Sequence, residues 1–433
     1  MTSDDLHVLD DLIWRGVIAV STDLGALRSA IDAGPLTFYC GFDPSAASLH
    51  HGHLVQVLTV RRLQRAGLQP LALVGGSTGL VGDPRPTAER GLHSKDVVAE
   101  WTARIRGQIE PYLAFDGPQA ARMVNNLDWT APLSALDFLR DVGKHFSVNR
   151  MLGKEAISAR LASEGGISYA EFSYQLLQAL DFLELNRRYG CLLQTGGSDQ
   201  WGNITAGLDL IRRVEGVTAH GIGTPLLTKA DGTKFGKSEG GAIWLDPDMT
   251  SPYAFFQVWL QAEDAVVGSY LRILSDRSRD DIEALEAATR ERPQAREAQR
   301  ALARELTTLV HGGDETARVE AAAAALFGRS DLTALDERTL AAALQEAPSA
   351  TVAPGQDPTY AELLAATGLV PSTSAARRTV AEGGAYVNNE RIDDPLATPP
   401  ADRWLHGRYL VLRRGRQHVA GVVRGGAPDG ARG

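Results

Sequence analysis

The first half of the chain alternates short apolar runs with stretches of helical periodicity. Four runs have the length and composition of buried strands: residues 36–42, 68–75, 122–126 and 190–196. Helical patterns separate them, among them residues 53–66 and 170–186. Buried strands that alternate with helices are typical of a parallel sheet covered on both faces. The pattern therefore predicts an α/β fold with a doubly wound parallel sheet, whose ligands bind beyond the carboxyl ends of the strands.

The second half of the chain has a different pattern. From residue 251 to about 326 it is rich in Glu, Arg and Ala and has no strand-like run, which predicts a helical domain over 251–347. The proline-rich stretch 348–357 predicts a linker. A small unit is expected over 358–424, and the Gly/Arg-rich residues 425–433 are expected to be disordered.

Composition limits the compartment and the partners. A net charge of −9 over 433 residues argues against a generally basic nucleic-acid coat. The segment from Pro358 onward, however, contains ten Arg and seven acidic residues, a positive balance that is compatible with RNA bound by a dedicated module. Cys40 and Cys191 lie in apolar runs without metal-ligand spacing, as expected of buried thiols in a reducing compartment. The acidic amino-terminal stretch and the lack of a long apolar run predict a cytoplasmic protein without a membrane span.

The motif His50-His51-Gly52-His53 stands where a helix is expected to begin after a strand and a loop. A helix amino terminus presents unpaired N–H groups and a partial positive charge, which favour phosphate. His50 and His53 share one helical face, and Gly52 leaves room for a flat base near the backbone. On its own, the motif is equally compatible with a capped surface helix that carries incidental histidines.

A second motif is the cationic, glycine-containing loop at residues 229–238, which ends in Lys-Phe-Gly-Lys-Ser. Lys234 and Lys237 can neutralise the charge that grows on pyrophosphate as it leaves. Taken alone, the stretch is best explained as an ordinary exposed loop. Together with the histidine motif in one α/β chain, it indicates a nucleotide that is bound from two sides. The two motifs predict an enzyme that activates an acid with ATP.

A polar helix face is predicted within residues 170–186. Tyr174, Gln178 and Asp181 are spaced four and three residues apart, so they share one face. A solvated polar face is the alternative, but the neighbouring residues are strongly apolar. The pattern therefore predicts a lined pocket.

These motifs resemble the paired signatures of the class I aminoacyl-tRNA synthetases, and the surrounding residues are similar to the bacterial tyrosyl-tRNA synthetases. The similarity runs from about residue 9 to about residue 423. Its most specific parts are residues 39–44, 75–84, 171–182 and 194–203. The resemblance implies a ligase that makes tyrosyl-adenylate and pyrophosphate from L-tyrosine and ATP. The tyrosyl group would then pass to the terminal adenosine of tRNA(Tyr).

The resemblance also implies a role for each site residue. The implied catalytic residues, which contact the phosphates from two sides, are Ser45, His50 and His53 with Lys234, Lys237 and Ser238. The implied tyrosine contacts are Tyr39 and Asp181 for the phenol, Asp83, Tyr174 and Gln178 for the ammonium group, and Gln200 for the carboxylate. The implied ATP contacts are Asp43, Gly52, Gly197, Asp199 and Lys237. Singly, Asp83 and Asp199 are also explained by a turn and a helix cap. A tyrosine carboxylate is already ionised and needs no general base. The sequence has no pattern of a metal cage, so Mg²⁺ is expected to travel with ATP rather than on dedicated ligands.

The same resemblance implies a domain order and partners. It places a Rossmann-like catalytic domain with a dimer-interface insertion at 1–222, a signature-loop connection at 223–250 and an anticodon-region helical domain at 251–347. The implied S-four-like RNA-binding domain at 358–424 is a small α+β unit. Its expected RNA contacts are Arg377, Arg378, Arg413 and Arg414, although a solvated charged surface is nearly as common an explanation. Residues 138–149 match the family's subunit interface, so a symmetric homodimer is expected.

Three features depart from the family pattern. His51 replaces a usually aliphatic residue and needs a polar partner if it is buried. The loop at 85–90 is one residue short and lacks the common lysine, so an ATP contact from that lysine is in doubt. Thr373 stands where lysine is frequent, which weakens the RNA contacts implied there.

Three other functions are weighed against this resemblance. A tryptophanyl enzyme is disfavoured by Tyr39 together with Asp181. A non-catalytic RNA-binding descendant is disfavoured because every implied site residue is present. A generic nucleotidyltransferase would share the first motif but not the helical region and the RNA module.

Overall fold

The computed structural model describes residues 6–84, 93–153, 155–162, 166–235, 242–328, 330–415 and 418–425. The helices are α1 (Val8–Trp14), α2 (Leu24–Asp32), α3 (His51–Arg65), α4 (Thr78–Val81), α5 (Lys95–Ile109), α6 (Leu127–Thr130), α7 (Ala135–Asp137), α8 (Val148–Leu152), α9 (Glu155–Leu161), α10 (Tyr169–Tyr189), α11 (Trp201–Val214), α12 (Pro252–Leu260), α13 (Asp264–Leu274), α14 (Arg279–Glu291), α15 (Glu297–His311), α16 (Gly313–Leu326), α17 (Glu337–Gln345), α18 (Tyr360–Ala366) and α19 (Thr373–Ala381). The strands are β1 (Val20–Ser21), β2 (Thr37–Phe42), β3 (Gln69–Val74), β4 (Arg122–Asn125), β5 (Leu193–Gly197), β6 (His220–Thr224), β7 (Ser349–Val352), β8 (Ala385–Val387), β9 (Glu390–Arg391), β10 (Tyr409–Arg414) and β11 (His418–Arg424).

The chain divides into two compact units. The first comprises Met1–Asp246 with Glu263–Ala298, and the second comprises Pro247–Ala262 with Gln299–Gly433. Within the described residues, no helix is long and apolar enough to cross a membrane.

The first unit is built on a six-stranded sheet in the order β1-β6-β5-β2-β3-β4. Strands β2 to β6 pair in parallel, and only the short edge strand β1 is antiparallel to its neighbour. The predicted doubly wound parallel sheet is therefore confirmed. The apolar pattern did not indicate β6, because its sequence His-Gly-Ile-Gly-Thr has two glycines and one large apolar side chain.

The strand order places a crevice at the ends of β2 and β5. From β2 the chain proceeds to β3 and β4 on one side, and from β5 it proceeds to β6 on the other. Because the connections diverge there, the carboxyl ends of these two strands leave a gap in which ligands of such sheets bind. The helices α3 and α11, which follow them, begin at the same edge.

Capping residues set the ends of the two helices that carry site residues. The amino end of α10 is capped by Ser168, which accepts a hydrogen bond from the Glu171 N–H, and its carboxyl end is closed by Gly190 at a φ of 64°. Helix α3 begins at His51, as expected from the position of the histidine motif, because His50 has extended backbone and caps the helix with its side chain.

Residues Glu263–Ala298 group with the sheet, which differs from the expected single helical domain over 251–347. Two arginines of the first unit explain the difference. The Arg62 guanidinium donates to the Ile273 carbonyl at 2.6 Å and to the Ser275 carbonyl at 2.7 Å. The Arg15 guanidinium donates to the same Ser275 carbonyl at 3.0 Å. These buried charge-assisted hydrogen bonds tie the turn after α13 to this unit.

The second unit contains a five-stranded sheet in the order β7-β11-β10-β8-β9, packed with α18 and α19 around a core that includes Leu364, Leu410 and Val422. Strand β7 pairs in parallel with β11, so the first part of the linker expected over 348–357 belongs to this sheet. The pattern concealed this strand because, of its four residues, only Val352 is buried and its partner strand lies about 70 residues later. Residues 426–433, expected to be disordered, lie outside the described residues.

Candidate active site

The first histidine motif forms a reciprocal cap at the start of α3. His50 Nδ1 accepts from the Gly52 N–H at 3.0 Å, and His53 Nδ1 accepts from the His50 N–H at 3.1 Å. A ring nitrogen that accepts a hydrogen bond carries no proton, so each neutral ring has its N–H at Nε2. Burial, reinforced by His53 and His51, lowers the pKa of His50 to about 2. His50 therefore offers a neutral N–H donor at a helix amino terminus.

Gly52 is required by the cap itself. A Cβ at this position would lie 2.9 Å from His50 Cε1 and 3.1 Å from His50 Nδ1. Gly52 was expected to leave room for a flat base, but the capping imidazole of His50 occupies the space next to its Cα. Ser45 is exposed in the loop between β2 and α3, and its N–H donates to the Asp43 carbonyl at 2.8 Å.

His51 joins the first motif to both chain segments that flank residues 236–241. Its Nε2 lies 2.9 Å from the Phe235 carbonyl oxygen, and its ring packs edge-on against the Phe235 ring at 5.5 Å between centroids. Its backbone N–H donates to the Ile243 carbonyl at 2.9 Å. The segment after Ile243 continues along the motif, because the Leu245 N–H donates to the Leu49 carbonyl at 2.8 Å. The polar partner expected for a buried His51 is therefore the Phe235 carbonyl.

Lys234 of the second motif lies near the acid expected to bind ribose. Lys234 Nζ is 3.9 Å from Asp199 Oδ2, and both side chains are about half exposed. Asp199 follows β5, and a Cβ on Gly197 would lie 2.5 Å from Asp199 Oδ1, so a glycine is needed for this approach. Lys237 and Ser238, also expected here, lie outside the described residues.

A buried carboxylate lies on the polar face of α10. Asp181 is 1% exposed and accepts hydrogen bonds from Trp129 Nε1 at 2.8 Å and Asn126 Nδ2 at 3.0 Å. Burial raises the pKa of Asp181 to about 8, against the opposing effect of these two donors. Two donors thus fix the position of the Asp181 carboxyl group, while burial opposes its ionisation.

Tyr39 on β2 belongs to the same buried cluster and has an unsatisfied hydroxyl. Its side chain is 1% exposed, its ring is 5.1 Å from the Phe182 ring, and its hydroxyl finds no hydrogen-bond partner among the described residues. Burial and the charge of Asp181 raise the pKa of Tyr39 well above its usual value. A buried hydroxyl without a partner costs free energy, so a polar ligand atom would be stabilised beside it.

A chain of hydrogen bonds links Asp181 to the loop after β2. Asn126 Nδ2 also donates to Thr78 Oγ1 at 3.0 Å, and Thr78 Oγ1 donates to Asp43 Oδ1 at 2.6 Å. The Tyr174 hydroxyl, also on the polar face of α10, donates to Asp43 Oδ2 at 2.5 Å. Asp43, expected to contact ATP, is thereby bonded into the wall of the polar pocket.

Asn126, Trp129 and Thr78 were not among the site residues expected from the sequence. The available signal was positional: Asn126 and Thr78 stand just beyond the carboxyl ends of β4 and β3, the edge where ligands of such sheets bind. A polar residue directly after a buried strand is therefore a candidate even without a motif.

Asp83 contacts the residues that follow β5. Its carboxylate accepts from Gln200 Nε2 at 2.9 Å and from Asn203 Nδ2 at 3.2 Å. Gln178 is half-buried on α10. The shortened loop at 85–90 lies outside the described residues. The structure thus joins Asp83 and Gln200, which were expected around the polar end of one ligand.

The four arginines expected to bind RNA differ in exposure. Arg377 and Arg378 are exposed on α19, and Arg414 is partly exposed at the end of β10. Arg413 is 9% exposed, lies 4.4 Å over the Tyr386 ring and donates to the Gly415 carbonyl at 2.8 Å. Arg413 is therefore not exposed as expected for a phosphate contact, because its guanidinium contacts Tyr386 and Gly415 within the second unit.

Comparison with known proteins extends these observations. Residues 32–328 match the family of class I tRNA synthetases (W and Y), and residues 339–420 match the C-terminal domain of tyrosine–tRNA ligases. Tyrosine–tRNA ligase of Streptomyces griseus is 64% identical, over 96% of this chain and 99% of its own. That of Mycobacterium bovis is 57% identical, over 96% of this chain and 99% of its own.

Solved structures give the same relationship. A C-terminally truncated mitochondrial tyrosyl-tRNA synthetase of Aspergillus nidulans superimposes with a TM-score of 0.66 and 29% identity, over 73% of this chain and 93% of its own. A tryptophanyl-tRNA synthetase of Encephalitozoon cuniculi, 14% identical, shares the fold with a TM-score of 0.55, over 71% of this chain and 87% of its own. Because the family match spans most of the chain and the identity to tyrosine–tRNA ligases is high along nearly all of it, the chain belongs to the tyrosine–tRNA ligases of the class I tRNA synthetase family.

Proposed function

We propose that this chain activates L-tyrosine with ATP and transfers the tyrosyl group to tRNA(Tyr). The observation that carries the proposal is the buried Asp181 carboxyl group in one cluster with the Tyr39 hydroxyl, which has no hydrogen-bond partner in the part of the chain that the structure describes. A tyrosine phenol satisfies both groups, since it donates to the carboxylate and accepts from the hydroxyl. Phenylalanine would give the buried Tyr39 hydroxyl no partner and would add no donor to Asp181, which costs free energy relative to bound tyrosine.

The first step needs alignment and charge stabilisation. The tyrosine carboxylate attacks the α-phosphorus of ATP, tyrosyl-adenylate forms, and pyrophosphate leaves. His50 and His53 donate from Nε2 to the phosphates at the amino terminus of α3, and Lys234 stabilises the charge of the leaving pyrophosphate. Asp83, Tyr174, Gln178 and Gln200 bind the amino-acid end of the substrate, and Asp199 binds the ribose.

Mg²⁺ enters with ATP. Magnesium prefers oxygen ligands and is usually held by substrate phosphates with few protein groups. Within the described residues, no three His, Cys, Asp or Glu side chains are grouped to hold a metal ion. The ion, when bound to the phosphates, would neutralise part of their charge, and the protein donors named above would orient them.

The second step of the proposed reaction is transfer to tRNA. The acyl group passes to a hydroxyl of the terminal tRNA adenosine, and the second unit contributes RNA contacts, for which the exposed Arg377 and Arg378 are suited. The cytoplasm is the proposed compartment. The free, buried thiols of Cys40 and Cys191 are compatible with its reducing conditions.

We also propose a symmetric homodimer through residues 138–149 and their surroundings. Large apolar side chains are exposed there: Leu136 at 78%, Leu139 at 49% and Val148 at 56%. Grouped exposed apolar side chains mark interaction surfaces. Light scattering of the purified chain should give twice the monomer mass, and Leu136→Asp with Leu139→Asp should give the monomer mass.

The activity is tested by exchange of labelled pyrophosphate into ATP. Exchange should depend on tyrosine, should be far slower with phenylalanine, and should be absent with tryptophan. Tyrosine should then be transferred to tRNA(Tyr). No tyrosine-dependent exchange by folded protein would refute the proposal, and exchange driven by tryptophan would reassign the pocket.

A further inference from the structure

We propose that His51 is a positioning residue for activation: its side chain holds the Phe235 carbonyl and thereby sets the position of Lys234. The inference rests on the proposed function, because Lys234 acts there on pyrophosphate. It concerns the residue of the first motif that departs from the family pattern and to which the proposed function assigns no substrate contact.

The contact is directional. A carbonyl oxygen only accepts, so His51 must donate, and its proton lies on Nε2 at 2.9 Å from the Phe235 oxygen. Nδ1 is then unprotonated, and it finds no partner among the described residues. The ring is buried, with an exposed fraction of 7%, and an aliphatic side chain here would leave the carbonyl without this donor.

The segment that His51 holds is also packed against α13. The Phe235 N–H donates to the Leu227 carbonyl at 2.9 Å, and the Phe235 ring packs edge-on against Tyr270 at 5.1 Å. The Tyr270 hydroxyl in turn donates to the Thr228 carbonyl at 2.7 Å. These contacts place the segment 227–235 against α13. The His51 side chain adds the link to the start of α3, where His50 and His53 form their cap.

The backbone of His51 binds the other flanking segment, since its N–H donates to Ile243. One residue in the first turn of α3 therefore contacts the chain on both sides of residues 236–241. Substituting the side chain removes its hydrogen bond to the Phe235 carbonyl and its ring contacts with Phe235 and His50. The backbone hydrogen bond from His51 to Ile243 is independent of residue type and stays. The two contacts can thus be separated by experiment.

The test compares His51→Leu with His51→Gln in the full-length protein. A glutamine amide nitrogen can reach the position of Nε2 and donate, whereas leucine cannot. We expect His51→Leu to lower kcat of tyrosine-dependent pyrophosphate exchange about tenfold, the effect of one hydrogen bond of ordinary strength. His51→Gln should remain within about threefold of the wild type. The KM for tyrosine should stay within about twofold in both variants, because the pocket of Asp181 is untouched.

His220→Leu is the matched control. It removes another buried histidine of the first unit, at the amino end of β6, opposite the edge where the site lies. Its kcat should equal that of the wild type. An unchanged kcat in His51→Leu, equal losses in the leucine and glutamine variants, or a parallel rise in the tyrosine KM would each overturn the positioning role.

A readout without activity separates this inference from the proposed function. In protein labelled with ¹⁵N-histidine, the nitrogen signals of His51, assigned by their loss in His51→Leu, should show protonated Nε2 and unprotonated Nδ1. Protonation at Nδ1 instead would exclude the bond to Phe235, whatever the enzyme does. Absence of tyrosine-dependent exchange in the wild type would refute the function while this spectrum still reported the contact.

Discussion

Asp181→Asn is expected to remove tyrosine activation. In the ligand-free protein, the unfolding free energy of this variant should rise relative to that of the wild type as the pH increases. Burial raises the pKa of Asp181 from 3.8 to about 8. In the unfolded chain this carboxyl loses its proton near pH 4, whereas in the folded protein it keeps the proton up to about pH 8. Between these values the folded state binds more protons, so stability falls as the pH rises through this window. Asparagine does not titrate there.

The size of the effect follows from the width of the window. Each pH unit between the two pKa values contributes about 1.4 kcal/mol. From pH 5 to pH 8, the wild type should therefore lose about 4 kcal/mol of unfolding free energy relative to Asp181→Asn. The asparagine amide would face the donors Asn126 and Trp129 and cost about 1–3 kcal/mol. That cost is the same at both pH values, so it cancels in the comparison.

Urea denaturation of wild type and variant at pH 5 and pH 8 measures the difference directly. Tyr39→Phe is a suitable control, because it alters the same pocket but keeps the carboxyl group and should follow the pH dependence of the wild type. If the stability difference between Asp181→Asn and wild type were equal at the two pH values, the carboxyl would have an ordinary pKa. Tyrosine-dependent exchange by the variant at the wild-type rate would refute the role of Asp181 in the pocket.

Three further substitutions test other parts of the pocket. Tyr39→Phe should raise the unfolding free energy of the ligand-free protein by about 1 kcal/mol, since it removes a buried unpartnered hydroxyl, and should weaken tyrosine binding as measured by calorimetry. Asn126→Ala should lower the unfolding free energy by about 2–4 kcal/mol and extend the pH-dependent loss to higher pH, because a donor to the buried carboxyl is lost; urea titrations across pH check both. Gly75→Ala should abolish most exchange activity, because its Cβ would lie 2.1 Å from Asp43 Oδ1. Gly107→Ala in α5, which meets no atom within 4 Å, should leave exchange unchanged.

Local sequence pattern predicted the sheet and its motifs because those signals are short-range. Buried strands are apolar runs, and the polar face of α10 repeats with the helical period, so both can be identified within about 20 residues. The hydrogen bond from Asn126 to Asp181 joins residues 55 positions apart, and the contact of His51 with Phe235 joins residues 184 apart. No periodicity reports such contacts. Strand β7 was concealed for the same reason, since its partner β11 is distant in the chain.

The groups that would recognise tyrosine are also groups that destabilise the empty pocket. Among the described residues, the buried Tyr39 hydroxyl has no partner, and Asp181 is a carboxyl whose ionisation is opposed by burial. A bound phenol donates to a carboxyl oxygen of Asp181 and accepts from the Tyr39 hydroxyl, so one ligand group supplies a partner to both. Tyrosine should therefore stabilise the wild type strongly, by a free energy that grows with ligand concentration. Phenylalanine has no hydroxyl and can make neither hydrogen bond. The binding free energies of the two amino acids, which differ by one hydroxyl, should therefore differ by the contribution of these two hydrogen bonds.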